Sequence, residues 1–369
     1  MIRTENNGRN KSMTTYLMTG GAGFIGSNMI LYMLKKYSDI RIINLDALTY
    51  AGNLENLKSI EGDLRHIFVR GDICDKDLVT RLLTDYDPDF VINFAAESHV
   101  DRSIANPMIF VDTNVRGTVN LLQCCKEAWY TPSTREWKDN KKYLQVSTDE
   151  VYGALGPDGY FTESTAINPH SPYSASKASA DHFVKAFHDT YGMPVNITRC
   201  SNNYGSFQFP EKLIPLMIHN AMNHRALPVY GDGMQIRDWL YVEDHCKAID
   251  RVCSNGKIGE VYNIGGHNER PNIFIVKTII KQLSERLEDP EINESLIKHV
   301  EDRLGHDRRY GIDPSKIKAD LGWVPETTFE AGIVKTIDWY LENKKWVEHV
   351  TSGAYQQYYT DMYDDKKEI

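Results

Sequence analysis

The chain has 369 residues, 41% apolar and 25% charged, the proportions of an ordinary soluble globular protein with core enough for one large domain or two coupled ones. Its net charge of −9, with no basic stripe to offset it, argues against nucleic acid as a partner, and no run approaches the ~18 apolar residues of a membrane span. The six cysteines form no CxxC pair and the twelve histidines no HExxH, so no metal site is expected, and the thiols read as reduced and buried in a cytoplasmic protein.

Residues 1–12 are polar, lack an apolar stretch and precede a second methionine, Met13; they read as a disordered or appended leader. From there short apolar runs alternate with amphipathic stretches. Runs at 16–18, 40–45, 67–69, 90–96, 143–146 and 195–197 predict strands, several unbroken in apolarity as parallel strands covered on both faces are. Ile25, Met29, Met33 and Leu34 recur at helical spacing between the first two, and Val115, Val119, Leu122 and Cys125 do so within 114–129. Strand and helix alternating at this pace predict an α/β fold with a Rossmann-type doubly wound parallel sheet. After Asn202 the rhythm breaks: Pro210, Pro215, Pro228, Gly231 and Gly233 punctuate short elements, and long helical patterns return only near 272–287 and 329–341. Residues 261–264 look like one more buried strand. The expected division is 13–205 plus 238–268 as a dinucleotide-binding domain, with 206–237 plus 269–369 as a smaller, discontinuous substrate domain ending in a frayed charged tail at 364–369.

Thr19-Gly20-Gly21-Ala22-Gly23-Phe24-Ile25-Gly26 follows the first strand and opens the first helix. Its Gly20, Gly23 and Gly26 allow a tight turn and close backbone approach, so that a pyrophosphate can sit on the helix N-terminus. Asp46 ends the second strand 20 residues beyond Gly26, where an acid binds ribose hydroxyls and repels a 2′-phosphate; NAD is therefore expected rather than NADP. Asp72 and Ile73 after the third strand are placed to flank adenine. Ala95 and Ala96 after the fourth either line the pyrophosphate path or simply pack closely.

Further along, Ser147-Thr148-Asp149-Glu150 closes a buried strand with a hydroxyl and two adjacent carboxylates. Acids there are poorly placed for packing and well placed for proton transfer. Tyr173 and Lys177 share one helix face at i,i+4, an arrangement in which an ammonium lowers the pKa of a phenol toward use as a base.

Thr148, Tyr173 and Lys177 behind this glycine fingerprint resemble the extended short-chain dehydrogenase/reductase family. Phe94-Ala95-Ala96-Glu97-Ser98-His99, Cys200-Ser201-Asn202-Asn203-Tyr204-Gly205, Glu211-Lys212-Leu213-Ile214-Pro215 and Gln235-Ile236-Arg237-Asp238-Trp239 narrow the likeness to its NAD-dependent nucleotide-sugar 4,6-dehydratases, from about residue 14 to 359. That resemblance implies a redox-neutral cycle on dTDP-glucose in deoxysugar biosynthesis: Tyr173 takes the C4 hydroxyl proton as NAD accepts the hydride. Glu150 then removes the C5 proton, Asp149 protonates the departing C6 hydroxyl, and the hydride returns to C6. It also implies that Ser98, Thr113 and Asn202 bind cofactor along with Phe24, Ile25, Tyr173 and Lys177. Asn203, Lys212, Leu213, Arg237 and Asn272 would hold the diphosphate, and Glu97, Ser98 and Thr148 the hexose. Pro228, Tyr230 and Tyr310 would lie toward the base, and Arg303 and His306 would also bind the substrate. Arg237 has a competing reading, a salt bridge to Asp238 or Asp232. Leu304 and Ala47 depart from the family's usual Pro and Lys, which predicts a looser loop at 302–307 and no charge contact beside Asp46. A homodimer packing 114–129 and 173–191 against their mates is implied as well. A 4-epimerase of the same fold needs the Tyr–Lys pair but has no use for two carboxylates, and a non-catalytic NAD sensor has no use for either.

Overall fold

A computed structural model describes residues 13–352, so the leader at 1–12 and the tail at 364–369 lie outside the described residues. Seven strands form one sheet: β1 Thr14–Thr19, β2 Ile40–Asp46, β3 His66–Arg70, β4 Phe90–Asn93, β5 Lys142–Thr148, β6 Val195–Cys200 and β7 Val261–Ile264. Every pairing is parallel and the spatial order is β7-β6-β5-β4-β1-β2-β3. The sheet therefore reverses direction between β1 and β4, and in such folds ligands sit above the strand ends at that point.

β5 is buried at all seven positions, as a central strand covered on both faces must be. Helices α1 Phe24–Lys36, α2 Lys76–Tyr86, α3 Thr118–Trp129 and α4 Pro172–Tyr191 cover the two faces. α4 begins where its sequence says it should: Ser171 caps it by accepting from Ser174 N, Pro172 takes the first helical position, and Gly192 ends it in left-handed conformation.

Two expected boundaries shift. The strand expected over 90–96 ends at Asn93, because the chain then leaves the sheet to cross the glycine turn; Phe94 N makes a last bond to Thr19 O at 3.1 Å. The helix expected over 114–129 is π-helical over Val111–Gly117 and α-helical only from Thr118. That wider turn lets buried Asn114 bond Glu97 N and O, both at 2.9 Å, and Ser176 Oγ at 2.8 Å, tying a cleft loop to α4.

A second core lies under α5 Leu213–Met222, α7 Asn272–Leu287 and α8 Phe329–Glu342, while α6 Val242–Asn255 packs in the first core. The strand Ile236–Tyr241 is the seam: Trp239 and Tyr241 pack in the second core, while Leu240 packs in the first. The short helix Ser315–Leu321, within the stretch expected for the substrate region, sends Ile317 into the first core, as does Trp323.

Candidate active site

One cleft runs along the C-terminal ends of β1, β2, β4 and β5, lined by Gly20, Gly23, Phe24, Ile25, Gly26, Asp46, Asp72, Ile73, Ala95, Ala96, Glu97, Ser98 and Thr113, and by Thr148, Tyr173 and Lys177 further in. Its floor has no room for side chains. A Cβ on Gly26 would stand 2.2 Å from Gly20 O, and one on Gly20, whose φ is +68°, would stand 2.6 Å from Ala95 N. The N-terminus of α1 opens into the cleft with no side-chain cap, leaving its N–H groups for an anion. Asp46 braces this turn, accepting from Ala22 N and Leu48 N at 2.8 Å each. Burial nevertheless raises its pKa.

The reactive groups meet at the inner end. Thr148 Oγ1 accepts from Glu150 N at 3.2 Å and donates to Asp149 Oδ1 at 3.3 Å. Lys177 Nζ donates to Val146 O at 2.8 Å, and burial lowers its pKa while Asp181 opposes the shift. The expected lowering of the Tyr173 pKa is not found. Burial and then Glu150 push it well above the usual phenol value, outweighing the Thr148 hydroxyl. Lysine at i+4 was the right signal for a shared face, but its ammonium is turned to a carbonyl.

The two carboxylates sit in different surroundings. Asp149 is 1% exposed, its Oδ2 has no hydrogen-bond partner, and burial, Glu150 and Asp238 drive its pKa well up. Glu150 is also raised by burial, but Lys212, Arg237 and Arg303 all pull it back. Burial thus favours the neutral acid at Asp149, while the three cations favour charge on Glu150.

A second cleft opens from the first. The two share Glu150, Asn202, Glu211 and Lys212 as lining, and the second adds Leu213, Pro228, Tyr230, Arg237, Asn272, Arg303 and His306. Three cations, Lys212, Arg237 and Arg303, face it. Lys212 is held by Ser98 O at 2.6 Å. Arg237 lies over the Tyr310 ring at 4.2 Å and donates to Asp307 O at 2.9 Å. Its competing salt bridges are absent: Asp238 accepts from Gly266 N and Asn268 N, and Asp232 pairs with Arg308. At the far end Tyr230 OH and Arg303 both donate to Asp101, and Arg303 covers the Tyr230 ring at 4.6 Å. Leu304 is 79% exposed beside this end.

Both asparagines line the first cleft, and Asn202 lines the second as well. Asn203, expected at the diphosphate, turns its amide inward, Nδ2 to Ser201 O at 2.9 Å and Oδ1 to His245 Nδ1 at 2.8 Å. The buried Oδ1 of Asn202 and that of Asn272 have no partner. Glu211 was missed. It is 5% exposed, takes bonds from Tyr50 OH at 3.1 Å and Arg102 Nε at 3.2 Å, and so clasps the loop after Asp46 to the loop that carries Lys212. It stands in the block Glu211-Lys212-Leu213-Ile214-Pro215, but nothing in that spacing points to Tyr50 or Arg102.

A reversing parallel sheet, a glycine cradle at an uncapped helix and a Thr–Tyr–Lys group beneath it define an extended short-chain dehydrogenase/reductase. The family described as GDP-mannose 4,6 dehydratase matches residues 17–336. The chain is 57% identical over 347 residues, 93% of its length and 98% of the relative's, to a dTDP-glucose 4,6-dehydratase of Xanthomonas campestris pv. campestris. Among solved structures, a dTDP-glucose 4,6-dehydratase from Bacillus anthracis in complex with NAD is similar at 47% identity and a TM-score of 0.82, covering 91% of this chain and 99% of that one. Another from Streptomyces venezuelae, with NAD and TYD bound, is similar at 43% identity and a TM-score of 0.84, covering 91% and 100%. The chain belongs to the GDP-mannose 4,6 dehydratase family and, within it, to the dTDP-glucose 4,6-dehydratases.

Proposed function

We propose that this protein converts dTDP-glucose to dTDP-4-dehydro-6-deoxy-glucose and water, with NAD held in the first cleft and the nucleotide sugar in the second. The residues fit NAD: the glycine cradle and the uncapped α1 N-terminus suit a pyrophosphate, and Asp46 disfavours a 2′-phosphate. When bound, NAD would supply a reversible hydride acceptor for oxidation at C4 and reduction at C6. Tyr173, beside Thr148, takes the C4 hydroxyl proton. Glu150 removes the C5 proton, made acidic by the new ketone, and Asp149 protonates the C6 hydroxyl as it leaves. Lys212, Arg237 and Arg303 with Asn202 and Asn272 hold the diphosphate, and Tyr230 and His306 lie toward the base. Glu97, Ser98 and Thr148 contact the hexose.

The observation that carries this reading is the unequal pair Asp149 and Glu150 at the junction of the two clefts. An epimerase or an NAD sensor has no use for two adjacent carboxyl groups in such different surroundings there. Incubation with dTDP-glucose should yield the alkaline absorbance of a 4-keto sugar. No such signal, with UDP-galactose formed from UDP-glucose, would turn the assignment to the epimerase.

We further infer a homodimer. Ile104, Met108, Ile109, Val111, Phe183 and Tyr191 leave apolar surface exposed along the segment before α3 and along α4. α3 itself, expected at the contact, buries Leu121, Leu122, Cys124, Cys125 and Trp129 instead. Six unpaired cysteines, five of them buried, suit a reducing cytoplasm, and among the described residues no helix is long and apolar enough to cross a membrane. Among the described residues no cluster of ligating side chains could hold a metal ion. The product is a 4-keto-6-deoxy sugar, a precursor for deoxysugars of which dTDP-rhamnose is one.

A further inference from the structure

We propose that Ser174 and Ser171 form a proton wire from Glu150 to water, so that the proton taken from C5 exchanges with solvent before one is returned. This inference rests on the dehydratase reading above. Ser174 Oγ donates to Glu150 Oε2 at 3.3 Å, and Ser171 Oγ lies 2.8 Å from Ser174 Oγ. Ser174 is 1% exposed, deep in the helix end that also carries Tyr173, whereas Ser171 is half-buried and lines the substrate cleft. The chain of hydroxyls thus leads from a reacting carboxylate to the half-buried Ser171, next to exposed His170, which marks the outer end.

Glu150 lines both clefts, but with cofactor and nucleotide sugar in place those open sides would be filled. Burial favours the neutral acid at Asp149 beside it, and the cations Lys212, Arg237 and Arg303 face it. Capping explains only part of the arrangement. Ser171 Oγ accepts from Ser174 N at 3.0 Å, which satisfies the helix end without any hydroxyl on Ser174. The Ser174 hydroxyl reaches both ways, to the cap and to the base.

The transfer is balanced at every atom. Protonated Glu150 gives its O–H proton to Ser174 Oγ as Ser174 gives its own to Ser171 Oγ, and Ser171 releases one to water. Rotation of the two hydroxyls resets the wire, and the reverse passage recharges Glu150 for return to C5. No redox partner is involved.

The test is turnover of protiated dTDP-glucose in D2O, with C5 of the product read by NMR and mass spectrometry at early conversion. The unaltered enzyme should place deuterium at C5, and Ser174→Ala should still form product but retain protium there. Slower turnover allows more time for exchange, so a merely structural role for Ser174 lowers kcat without producing retention. Ser171→Gly keeps a tolerated cap while removing the outer hydroxyl and should show the same loss of deuterium; it carries the test if Ser174→Ala folds poorly. Deuterium incorporation by the variants equal to that of the unaltered enzyme, or retention in the unaltered enzyme itself, overturns the wire. Absence of any 4-keto product from the unaltered enzyme defeats the dehydratase reading instead.

Discussion

Replacing Asp149 by asparagine keeps the shape of the side chain and removes the proton that burial favours on it. Asp149 Oδ2 is buried without a partner, so the amide meets no obligatory contact there, while Thr148 still finds a hydrogen-bonding atom at Oδ1. Loss of a positioned general acid costs about 10²- to 10⁴-fold in rate, and kcat should fall within that range. Oxidation at C4 uses Tyr173 and not Asp149, so reduced cofactor should build up in stopped-flow absorbance as elimination stalls. The same variant should be more stable. Burial raises the folded pKa of Asp149 well above its free value, so the folded state prefers the neutral acid. That preference costs nothing below the free carboxyl range near pH ~4. Above it the unfolded chain ionises while the folded one does not, and stability falls until the folded pKa is passed. Asparagine has no such dependence. The advantage of Asp149→Asn in thermal unfolding should therefore be absent in acid, grow with rising pH and then level off. A kcat within about tenfold of the parent, or a variant no more stable at neutral than at acid pH, refutes the assignment of the proton to Asp149.

Gly26→Ala sets a Cβ 2.2 Å from Gly20 O and 2.8 Å from Gly21 Cα, both backbone atoms that cannot swing aside. It should lower stability by about 1–3 kcal/mol and strip NAD from the purified protein, read by unfolding and by bound-nucleotide content; full NAD content would contradict the cradle. Arg237→Lys loses the stack on Tyr310 and the bond to Asp307 O, and should raise KM about tenfold or more with little change in kcat. Asn202→Ala should raise KM at unchanged stability. Asn203→Ala leaves Ser201 O and His245 Nδ1 unpaired and should cost about 1–3 kcal/mol of folding stability; the opposite pattern would restore the diphosphate to Asn203.

What the sequence made legible was whatever is written in local pattern. All seven sheet strands stand where apolar runs predicted them, and α4 starts on the Ser-Pro pair that caps it. Patterns fail where the third dimension decides. Phe94 to Ala96 are as apolar as the strand they follow, yet must leave it to pass over Gly20. Asn114 lies in a helical pattern, but its bonds to Glu97 and Ser176 come with a π-helical turn. Asn202 and Asn203 are identical in sequence terms, yet only Asn202 also lines the second cleft, while Asn203 bonds Ser201 O and His245 Nδ1. The clasp of Glu211 with Tyr50 joins residues 161 apart, a link no spacing rule could supply.

The unequal carboxylates show how far a residue's role comes from its neighbours rather than its type. Asp149 and Glu150 differ by one methylene and adjoin in sequence, and at the level of sequence either could have held the proton. Both open the 3-10 turn Asp149–Tyr152 that follows β5 and line the first cleft, but Glu150 also lines the second. Asp149 lines the first cleft but is 1% exposed and near Asp238, where a charge would be costly. Glu150 meets the cations of the second cleft, where Lys212 precedes α5, Arg237 lies on the strand Ile236–Tyr241, and Arg303 follows the strand Ile297–Val300. Those cations are placed for a diphosphate and serve Glu150 as well. Any substitution that removes one of them should therefore weaken substrate binding and raise the pKa of the base together, so that KM rises and the acid limb of the kcat profile moves to higher pH in the same variant. A KM effect with an unmoved pH profile would separate the two functions and break this link between binding and elimination.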